Sequence, residues 1–445
     1  MRILMFFVIC IAMVGCSQNS IRTASQDNTV EFNDTIKDLK ESAMQGDAEA
    51  QTLLGILYFE GKEVPQDDIQ AMHWFKKSAE QGVSEAQTLL GVMYFKGKGV
   101  PQDDKQAVHW LQKSADQGDA EAQGALGAMY QYGKGVPQND KQAVHWYQKG
   151  AEQGFSLAQH ELGLMYFKGK GVPQDDKQAV YWFQKAAEQG VAKAQAALGM
   201  MYQYGKGVPQ NDKQAVHWYQ KGAEQGFSEA QHELGLMYFK GKGVPQDDKQ
   251  AVYWFRKAAE QGVSEAQNNL GAMYFKGKGV PKDDKQAVYL YQKAAEQGSA
   301  KAQLVLGVMY LEGKGVPQDD QQAVHWFRKA AEQRVSEAQS NLGAMYFMGK
   351  GVPKDDQKAV YWFQKAAEQG VAKAQAALGA MYLEGRGVTK DYKKAYMWLY
   401  LASNNGYKIT KNAFEFLNKV MTSSDISEAQ EKSKICLDSG YNNCY

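Results

Sequence analysis

Histidine recurs at one position of this chain, and histidine is the side chain that metal sites and acid–base catalysts use most. Five of the seven histidines share that position at multiples of 36 residues: His73, His109, His145, His217 and His325. Equivalent positions in stacked helical units lie about 10 Å apart, whereas zinc requires ligand nitrogens about 2 Å from one ion. Tyrosine or methionine holds the position in the other units. We therefore interpret the column as a half-buried helix edge and predict no metal site.

A Gly-Lys-Gly segment recurs with the same spacing and could be taken for a phosphate-binding loop. In one copy, five residues separate Gly91 from Gly97, where a P-loop has four. Gly99 also stands where serine or threonine would bind magnesium, and the segment follows a predicted helix rather than a strand. We interpret the segment as a linker between helices.

Motifs for nucleophilic catalysis are absent from the sequence. It contains no Ser-x-x-Lys, no Ser-Asp-Asn and no Lys-Thr-Gly, which are the motifs of serine β-lactamases. Lysine and arginine total 51 against 50 aspartate and glutamate residues, so the net charge of +1 gives no basic surface for nucleic acid. The sequence therefore predicts a protein that is not an enzyme, has no cofactor and does not bind nucleic acid.

The elements that carry these residues are copies of one repeat. The phrase Leu-Gly-x-(Met/Leu)-Tyr occurs ten times at an unbroken spacing of 36 residues, from Leu54 to Leu378. All nine prolines and all nine tryptophans hold fixed positions in this repeat. Such a period is typical of a stacked array in which each unit packs only on its neighbours. The predicted fold is all-α, an α/α solenoid superhelix of ten helix-turn-helix repeats with terminal capping helices.

Each repeat is predicted to contain two antiparallel helices, A and B. Ser84 and Gln87 have capping-box spacing and predict the start of a helix A that ends at Gly97. Asp103 predicts the start of helix B, and every repeat has Asp or Asn there, which are strong N-cap residues. These carboxylates are interpreted as structural, because asparagine replaces aspartate without the charge.

Two positions of the repeat predict its packing. Glycine inside helix A, such as Gly91, costs about 1 kcal/mol relative to alanine, and we expect the helix B tryptophan to pack over it. Arg334 replaces the glycine that ends helix B in the eighth repeat. If that position is left-handed, arginine costs about 1–2 kcal/mol and weakens the joint between the eighth and ninth repeats.

The N-terminus predicts export. Residues 3–14 are an apolar run that follows Arg2 and is too short to span a bilayer. The sequence Met13-Val14-Gly15-Cys16 resembles a bacterial lipoprotein cleavage box, which implies lipidation of Cys16. By the same resemblance, Ser17 favours the outer membrane. Met13 stands where leucine is usual, so the alternative is an ordinary signal peptide that is cut nearby. The protein would then be periplasmic or secreted.

The predicted organisation has five segments. Residues 1–15 are a lipoprotein-type signal peptide, 16–33 a flexible tether, 34–46 an N-terminal capping helix, 47–406 the ten repeats and 407–445 a C-terminal cap. Cys436 and Cys444 are predicted to pair, because they would be the remaining thiols of an exported chain. Free thiols or a disulfide to a partner are the alternatives.

The repeat resembles the Sel1-like repeat, a longer relative of the tetratricopeptide repeat. The resemblance is carried by Ala-x-x-x-Leu-Gly-x-Met-Tyr-x-x-Gly-x-Gly-Val-Pro-x-Asp followed by Ala-x-x-Trp-x-x-Lys-Ala-Ala-Glu-x-Gly. It implies a right-handed superhelix with helices A lining a concave face, and an adaptor that assembles protein complexes. A cysteine-rich branch is described as binding and weakly hydrolysing β-lactams, but the repeats of this chain contain no cysteine.

An aromatic column beside the core tyrosine is the candidate partner-binding surface. Its members are Phe59, Phe95, Tyr132, Phe167, Tyr204, Phe239, Phe275 and Phe347. Half-exposed rings on a concave face would bind a partner, whereas rings buried against the next repeat would be structural.

The leading functional hypothesis is an envelope scaffold that holds a protein or peptide in its groove and is attached to the membrane by an N-terminal lipid. The alternatives are a weak binder or hydrolase of β-lactam or peptidoglycan-like ligands, and a passive structural spacer.

Overall fold

The fold consists of helices joined by short turns. The computed structural model describes residues 29–408, 411–441 and 444. These residues form 23 α-helices and no strand, which confirms the predicted all-α solenoid of ten repeats. The first helix, α1, is Thr29–Met44, so it begins within the predicted tether and ends before residue 46.

Ten helix pairs follow α1, and two further helices complete the described chain. The pairs are α2 Ala48–Glu60 with α3 Asp68–Glu80, α4 Ser84–Lys96 with α5 Asp104–Asp116, α6 Ala120–Tyr132 with α7 Asp140–Glu152, α8 Ser156–Lys168 with α9 Asp176–Glu188, α10 Ala192–Tyr204 with α11 Asp212–Glu224, α12 Ser228–Lys240 with α13 Asp248–Glu260, α14 Ser264–Lys276 with α15 Asp284–Glu296, α16 Ala300–Glu312 with α17 Asp320–Glu332, α18 Ser336–Met348 with α19 Asp356–Ala367, and α20 Ala372–Glu384 with α21 Tyr392–Asn404. The last two helices are α22 Lys411–Val420 and α23 Ser423–Asp438. Among the described residues, no helix has the length and apolar character needed to cross a bilayer.

The chain divides into two compact units, Met1–Phe227 and Ser228–Tyr445. Within each unit, helix A packs on helix B of its own repeat, and helix B packs on helix A of the next repeat. The core is therefore a series of linked clusters along the array, which is how a solenoid buries apolar surface.

Helix B begins and helix A ends as predicted. The Asp103 carboxylate accepts hydrogen bonds from the backbone N–H of Lys105 at 2.9 Å and of Gln106 at 3.0 Å. Asp or Asn caps helix B in the same way in all ten repeats. Gly97 ends helix A with φ of 65°.

The predicted capping box at the start of helix A is wrong. Val83 is the N-cap residue of α4, and it provides no side-chain hydrogen bond. Gln87 is instead buried, and its Nε2 donates to the carbonyl oxygen of Ala79 in the preceding helix B at 3.1 Å. Its Oε1 accepts from Gln117 Nε2, at the end of the next helix B, at 2.8 Å. Within each of the two units, buried amides of this kind tie a repeat to the one before it.

The prediction that tryptophan packs over the helix A glycine is also wrong. At Gly163 a Cβ would lie 2.7 Å from Cδ1 of Phe183, which is the residue that follows the tryptophan. Trp110 instead lies in one buried cluster with Ile56 and Phe59 of the preceding repeat. Neighbouring side chains on a helix point about 100° apart, so one ring covers the glycine while the tryptophan contacts the preceding repeat.

The two ends of the array are closed by helices. The α1 helix has the register of a helix B, because Gln51 Nε2 donates to the Ala43 carbonyl oxygen at 3.0 Å as Gln87 does to Ala79. At the other end, α23 packs on α21 and leaves Trp398 only 1% exposed. Both ends thus cover apolar surface that another repeat would otherwise bury.

Candidate interaction surfaces

The aromatic column differs in exposure along the chain. Phe59 and Phe95 are buried, whereas Tyr132 and Tyr204 are 37% and 63% exposed. The remaining members are half-buried: Phe167, Phe239, Phe275 and Phe347. The first two rings therefore belong to the core, and the others keep part of their surface accessible.

The linker lysine of the following repeat covers four of these rings: Phe59, Phe167, Phe239 and Phe275. Lys98 Nζ lies 4.9 Å from the ring centre of Phe59, and Lys206 Nζ lies 5.0 Å from that of Phe167. Such cation–π contacts hold a cation against a ring at little desolvation cost. The column therefore lies at the joints between repeats, and the lysine of Gly-Lys-Gly stabilises these joints.

The last linker contains arginine instead of lysine, and this arginine makes further contacts. The Arg386 guanidinium stacks 4.1 Å from the ring centre of Phe347. It also donates to both carboxylate oxygens of Asp356, at 3.2 and 3.3 Å. In six other repeats the equivalent aspartate has a buried Oδ1 without a hydrogen bond in the described structure, as at Asp140.

In two repeats a glutamine, Gln131 or Gln203, stands directly before the column tyrosine, at the position where other repeats have Phe or Leu, and each glutamine is matched by a tyrosine in helix B. Tyr147 donates its hydroxyl to Gln131 Oε1 at 2.7 Å, and Tyr219 donates to Gln203 Oε1 at 2.6 Å. The paired change replaces an apolar contact by a partly buried hydrogen bond, so these glutamines are structural.

The histidine column lies on the exposed side of helix B. His109 packs edge-on against Trp110 with ring centres 5.2 Å apart, and Lys113 lies 4.6 Å from the tryptophan ring centre. Among the described residues, no three His, Cys, Asp or Glu side chains are placed to share a metal ion. The column acts here as a packing edge.

Accessible positions on helix A vary from repeat to repeat, and this surface was missed in the sequence. The second residue of helix A is Glu49, Glu85, Glu121, Leu157 and Lys193 in the first unit, and Glu229, Glu265, Lys301, Glu337 and Lys373 in the second. All of these except Leu157, which is buried, keep part of their surface exposed. The buried glutamine two residues later is the same in every repeat. Comparison of the repeats with one another could have identified this surface, because the second residue of helix A varies while the buried glutamine does not.

Three carboxylates meet on this surface in the second and third repeats. Asp119 caps α6, accepting from Ala122 N at 2.7 Å, where most repeats have an apolar residue. Burial, together with the charges of Asp119 and Glu85, raises the pKa of Glu121 to about 7. Burial and Asp119 likewise raise the pKa of Glu85. The three carboxyl groups therefore repel one another, and Glu121 is only partly ionised at neutral pH.

A histidine–glutamate pair stands on the same helix face further along. His160 Nδ1 lies 3.3 Å from the Glu161 carboxylate, and the duplicated pair His232 and Glu233 is separated by 3.4 Å. Burial raises the pKa of Glu161, but the hydrogen bond and charge of His160 and the charge of Lys193 outweigh burial and lower it. The helix A surface is therefore acidic in early repeats and mixed in later ones.

The C-terminal cap contains the predicted disulfide, between Cys436 and Cys444. Both cysteines are buried, in one cluster with Trp398 and Leu401. The disulfide closes a short loop against the last repeat. Cys16 lies outside the described residues, so its lipidation stays a prediction.

Comparison with known proteins agrees with this architecture. The Sel1 repeat model matches ten consecutive segments: residues 48–83, 84–119, 120–155, 156–191, 192–227, 228–263, 264–299, 300–335, 336–371 and 372–407. Each match starts at the first residue of a helix A. Comparison with the curated proteins finds no match.

Two solved structures are similar to most of the chain. A protective antigen present in uropathogenic Escherichia coli strains, displaying an SLR fold, is 38% identical with a TM-score of 0.62, covering 91% of this chain and 94% of that one. A Sel1 repeat protein from Oxalobacter formigenes is 35% identical with a TM-score of 0.54, covering 76% of this chain and 94% of that one. Sel1 repeat proteins generally mediate protein–protein interactions. With ten matched repeats whose boundaries coincide with its helix pairs, the chain belongs to the Sel1 repeat family.

Proposed function

We propose that this chain is a binding scaffold that holds a protein or peptide partner on the accessible surface of its helices A. The observation that carries the proposal is the variation of charge along that surface, from Glu85 to Lys193 in the first unit and from Glu265 to Lys301 in the second, over a constant buried frame. Variation that the fold does not require is what a surface needs to discriminate between partners.

The exposed side of helix B is a weaker candidate for specific recognition. It presents the same Lys-Gln-x-x-(His/Tyr) pattern in most repeats, and its rings and cations already contact one another. A surface that repeats itself offers the same contacts at every step, so it specifies no register for a partner.

A photo-crosslinking experiment tests the assignment. A photoreactive residue replaces Glu121 or Lys193 on helix A, and Gln148 or Gln184 on the exposed side of helix B serves as the matched control. We expect one partner to crosslink to the helix A positions in bacterial envelope extracts. Capture by the helix B positions alone would contradict the surface, and capture by neither would favour a structural spacer.

We further propose that the chain is exported and anchored by a lipid on Cys16. The cleavage-box sequence supports this, and so does the similar protein described as a protective antigen, since antibodies must reach such a protein. Metabolic labelling with palmitate should label the wild type but not Cys16→Ser, and the variant should leave the membrane fraction. Equal labelling of both proteins would contradict the anchor.

A further inference from the structure

The C-terminal tail packs at a joint between two repeats, where the turns that follow their helices B meet. The ring of Tyr441 lies beside Gly370, with its Cε2 3.0 Å from the position that a Cβ would take there. Its hydroxyl donates to Asn405 Oδ1 at 2.9 Å and lies 2.7 Å from Asn405 Nδ2, from which it accepts. The joint therefore holds a phenol side chain by a ring contact and a reciprocal pair of hydrogen bonds.

The same joint recurs within both units. A left-handed glycine follows helix B of one repeat, and the amide that follows helix B of the next repeat donates to the glycine carbonyl oxygen. These pairs are Gln81 and Gly46 at 3.0 Å, Gln189 and Gly154 at 3.0 Å, Gln333 and Gly298 at 3.1 Å, and Asn405 and Gly370 at 3.4 Å. The joint that Tyr441 occupies is thus one of a series with common geometry.

The equivalent joints are open in the described structure. Apart from the glycine and its two chain neighbours, no heavy atom of the described residues lies within 4 Å of the Cβ position at Gly46, Gly82, Gly118, Gly154, Gly190, Gly262 or Gly298. The Gln189 amide uses its Nε2 for Gly154 and Gln159, and its Oε1 accepts no hydrogen bond from described residues. The equivalent oxygen of Asn405 is the one that binds Tyr441.

We infer that the open joints bind tyrosine side chains of a partner polypeptide, as the last joint binds Tyr441. This inference rests on the proposed scaffold function and adds the chemistry of its partner. The side-chain amide forms hydrogen bonds with the phenol hydroxyl, and the glycine, which has no Cβ, leaves space for the ring. Several such joints in one array would strengthen binding of a partner with several tyrosines through effective concentration.

A peptide titration against the full chain tests the inference. The probe is the disulfide-closed peptide of residues 436–444 with a fluorescent label, compared with the same peptide carrying Tyr441→Phe. We expect more than one bound peptide per chain, and affinity lower by about threefold to tenfold for the phenylalanine peptide, which loses the hydrogen bonds. Equal affinity of the two peptides would overturn the inference.

Variants copied from the chain itself locate the sites. Arg334 stands at the glycine position of one joint, so Gly118→Arg and Gly154→Arg should each remove a site, while Arg334→Gly should add one. Gln148→Arg, on the exposed side of helix B, controls for charge, and circular dichroism checks that helix is retained. An unchanged number of bound peptides in the glycine variants would refute the site.

The two proposals can fail separately. Crosslinking of a partner to helix A without peptide binding would refute only the tyrosine sites. Peptide binding that follows the glycine variants, with no partner captured on helix A, would refute only the helix A surface.

Discussion

At the scale of single residues, substitutions between otherwise equal repeats show what each position does. Glu63 and Arg334 are in the left-handed region with φ of 66°, where other repeats have glycine. At the position equivalent to Glu63, a Cβ on Gly171 would lie 2.2 Å from the backbone oxygen of Asp140 in the preceding helix B. The glycine there is needed for the close approach of the preceding repeat as well as for its φ angle.

The raised pKa of Glu121 predicts a pH dependence of stability. The folded chain keeps this carboxyl protonated up to about pH 7, whereas the unfolded chain loses the proton near 4.5. Its contribution is therefore complete below pH 4.5 and is lost as the pH rises to about 7. Glu121→Gln should be more stable than wild type at pH 8 by roughly 1–3 kcal/mol, allowing for partial exposure, and equally stable at pH 4.

Urea unfolding at the two pH values measures this difference. Glu265→Gln is the matched control, because Val263 replaces the capping aspartate in that repeat. An equal gain in both variants would show that the three-carboxylate cluster is not the cause.

The left-handed Arg334 predicts a weakened joint after the eighth repeat. Arg334→Gly should stabilise the chain by about 1 kcal/mol, because relief of strain is partly offset by the freedom of glycine in the unfolded chain. The reciprocal variant Gly298→Arg should lose about the same amount. Hydrogen exchange gives the location: amides 330–340 should exchange faster than their equivalents 294–304 in wild type. Equal protection of the two segments would show that the joint is not softened.

At the scale of helices, the contact between neighbouring repeats has a buried glutamine amide that is the same in every repeat and an exposed edge that differs between repeats. Gln159 Nε2 donates to the Ala151 carbonyl oxygen at 3.1 Å, while Gln189 Nε2 donates to Gln159 Oε1 at 2.8 Å. A buried amide left unpaired costs about 1–3 kcal/mol, so this arrangement fixes the register of each repeat on the last. At the exposed edge, the linker cation is lysine in most repeats and Arg386 in the last one.

The Arg386 joint predicts a stabilising change elsewhere. Lys170 and Asp140 have the same relation as Arg386 and Asp356, but the Asp140 Oδ1 is buried without a hydrogen bond in the described structure. Lys170→Arg should form a bidentate ion pair with Asp140 and raise the free energy of unfolding by about 0.5–1 kcal/mol. Thermal unfolding at low and high salt measures the gain, which should shrink with salt. Arg386→Lys is the reciprocal control and should lose stability; no change in either variant would contradict the assignment.

At the scale of the whole molecule, the array is built so that repeats are interchangeable. Residues 127–198 and 199–270 are nearly the same 72-residue block, and buried glutamines such as Gln123 and Gln159 bond to the preceding helix B. In such arrays stability is close to a sum over repeats and joints.

Removal of a block therefore predicts a shorter but folded protein. Deletion of residues 127–198 joins Leu126 to Gly199 in register, and should leave helicity per residue unchanged while lowering the denaturant m-value in proportion to the surface lost. Deletion of residues 127–180, which breaks the 36-residue register, is the control and should destabilise the chain. Loss of folding in both variants would contradict independent repeats.

The sequence by itself determined the helices of the repeats, the start of helix B and the end of helix A, because these depend on contacts within a few residues. Asp103 caps the backbone two and three residues away, and Gly97 ends a helix through its own φ angle. Repetition of these local signals ten times indicated the fold class and the family. The placement of Cys436 and Cys444 predicted their disulfide.

Only the tertiary structure decided which neighbour each side chain meets. Gln87 looked like part of a helix cap, but it bonds to Ala79 and Gln117, and Leu111 rather than Trp110 covers Gly91. These contacts join residues 8 to 30 positions apart in different helices, so they depend on the angle and distance at which helices pack. The same is true of the candidate surfaces, where packing decided which rings are buried and which charges on helix A remain accessible.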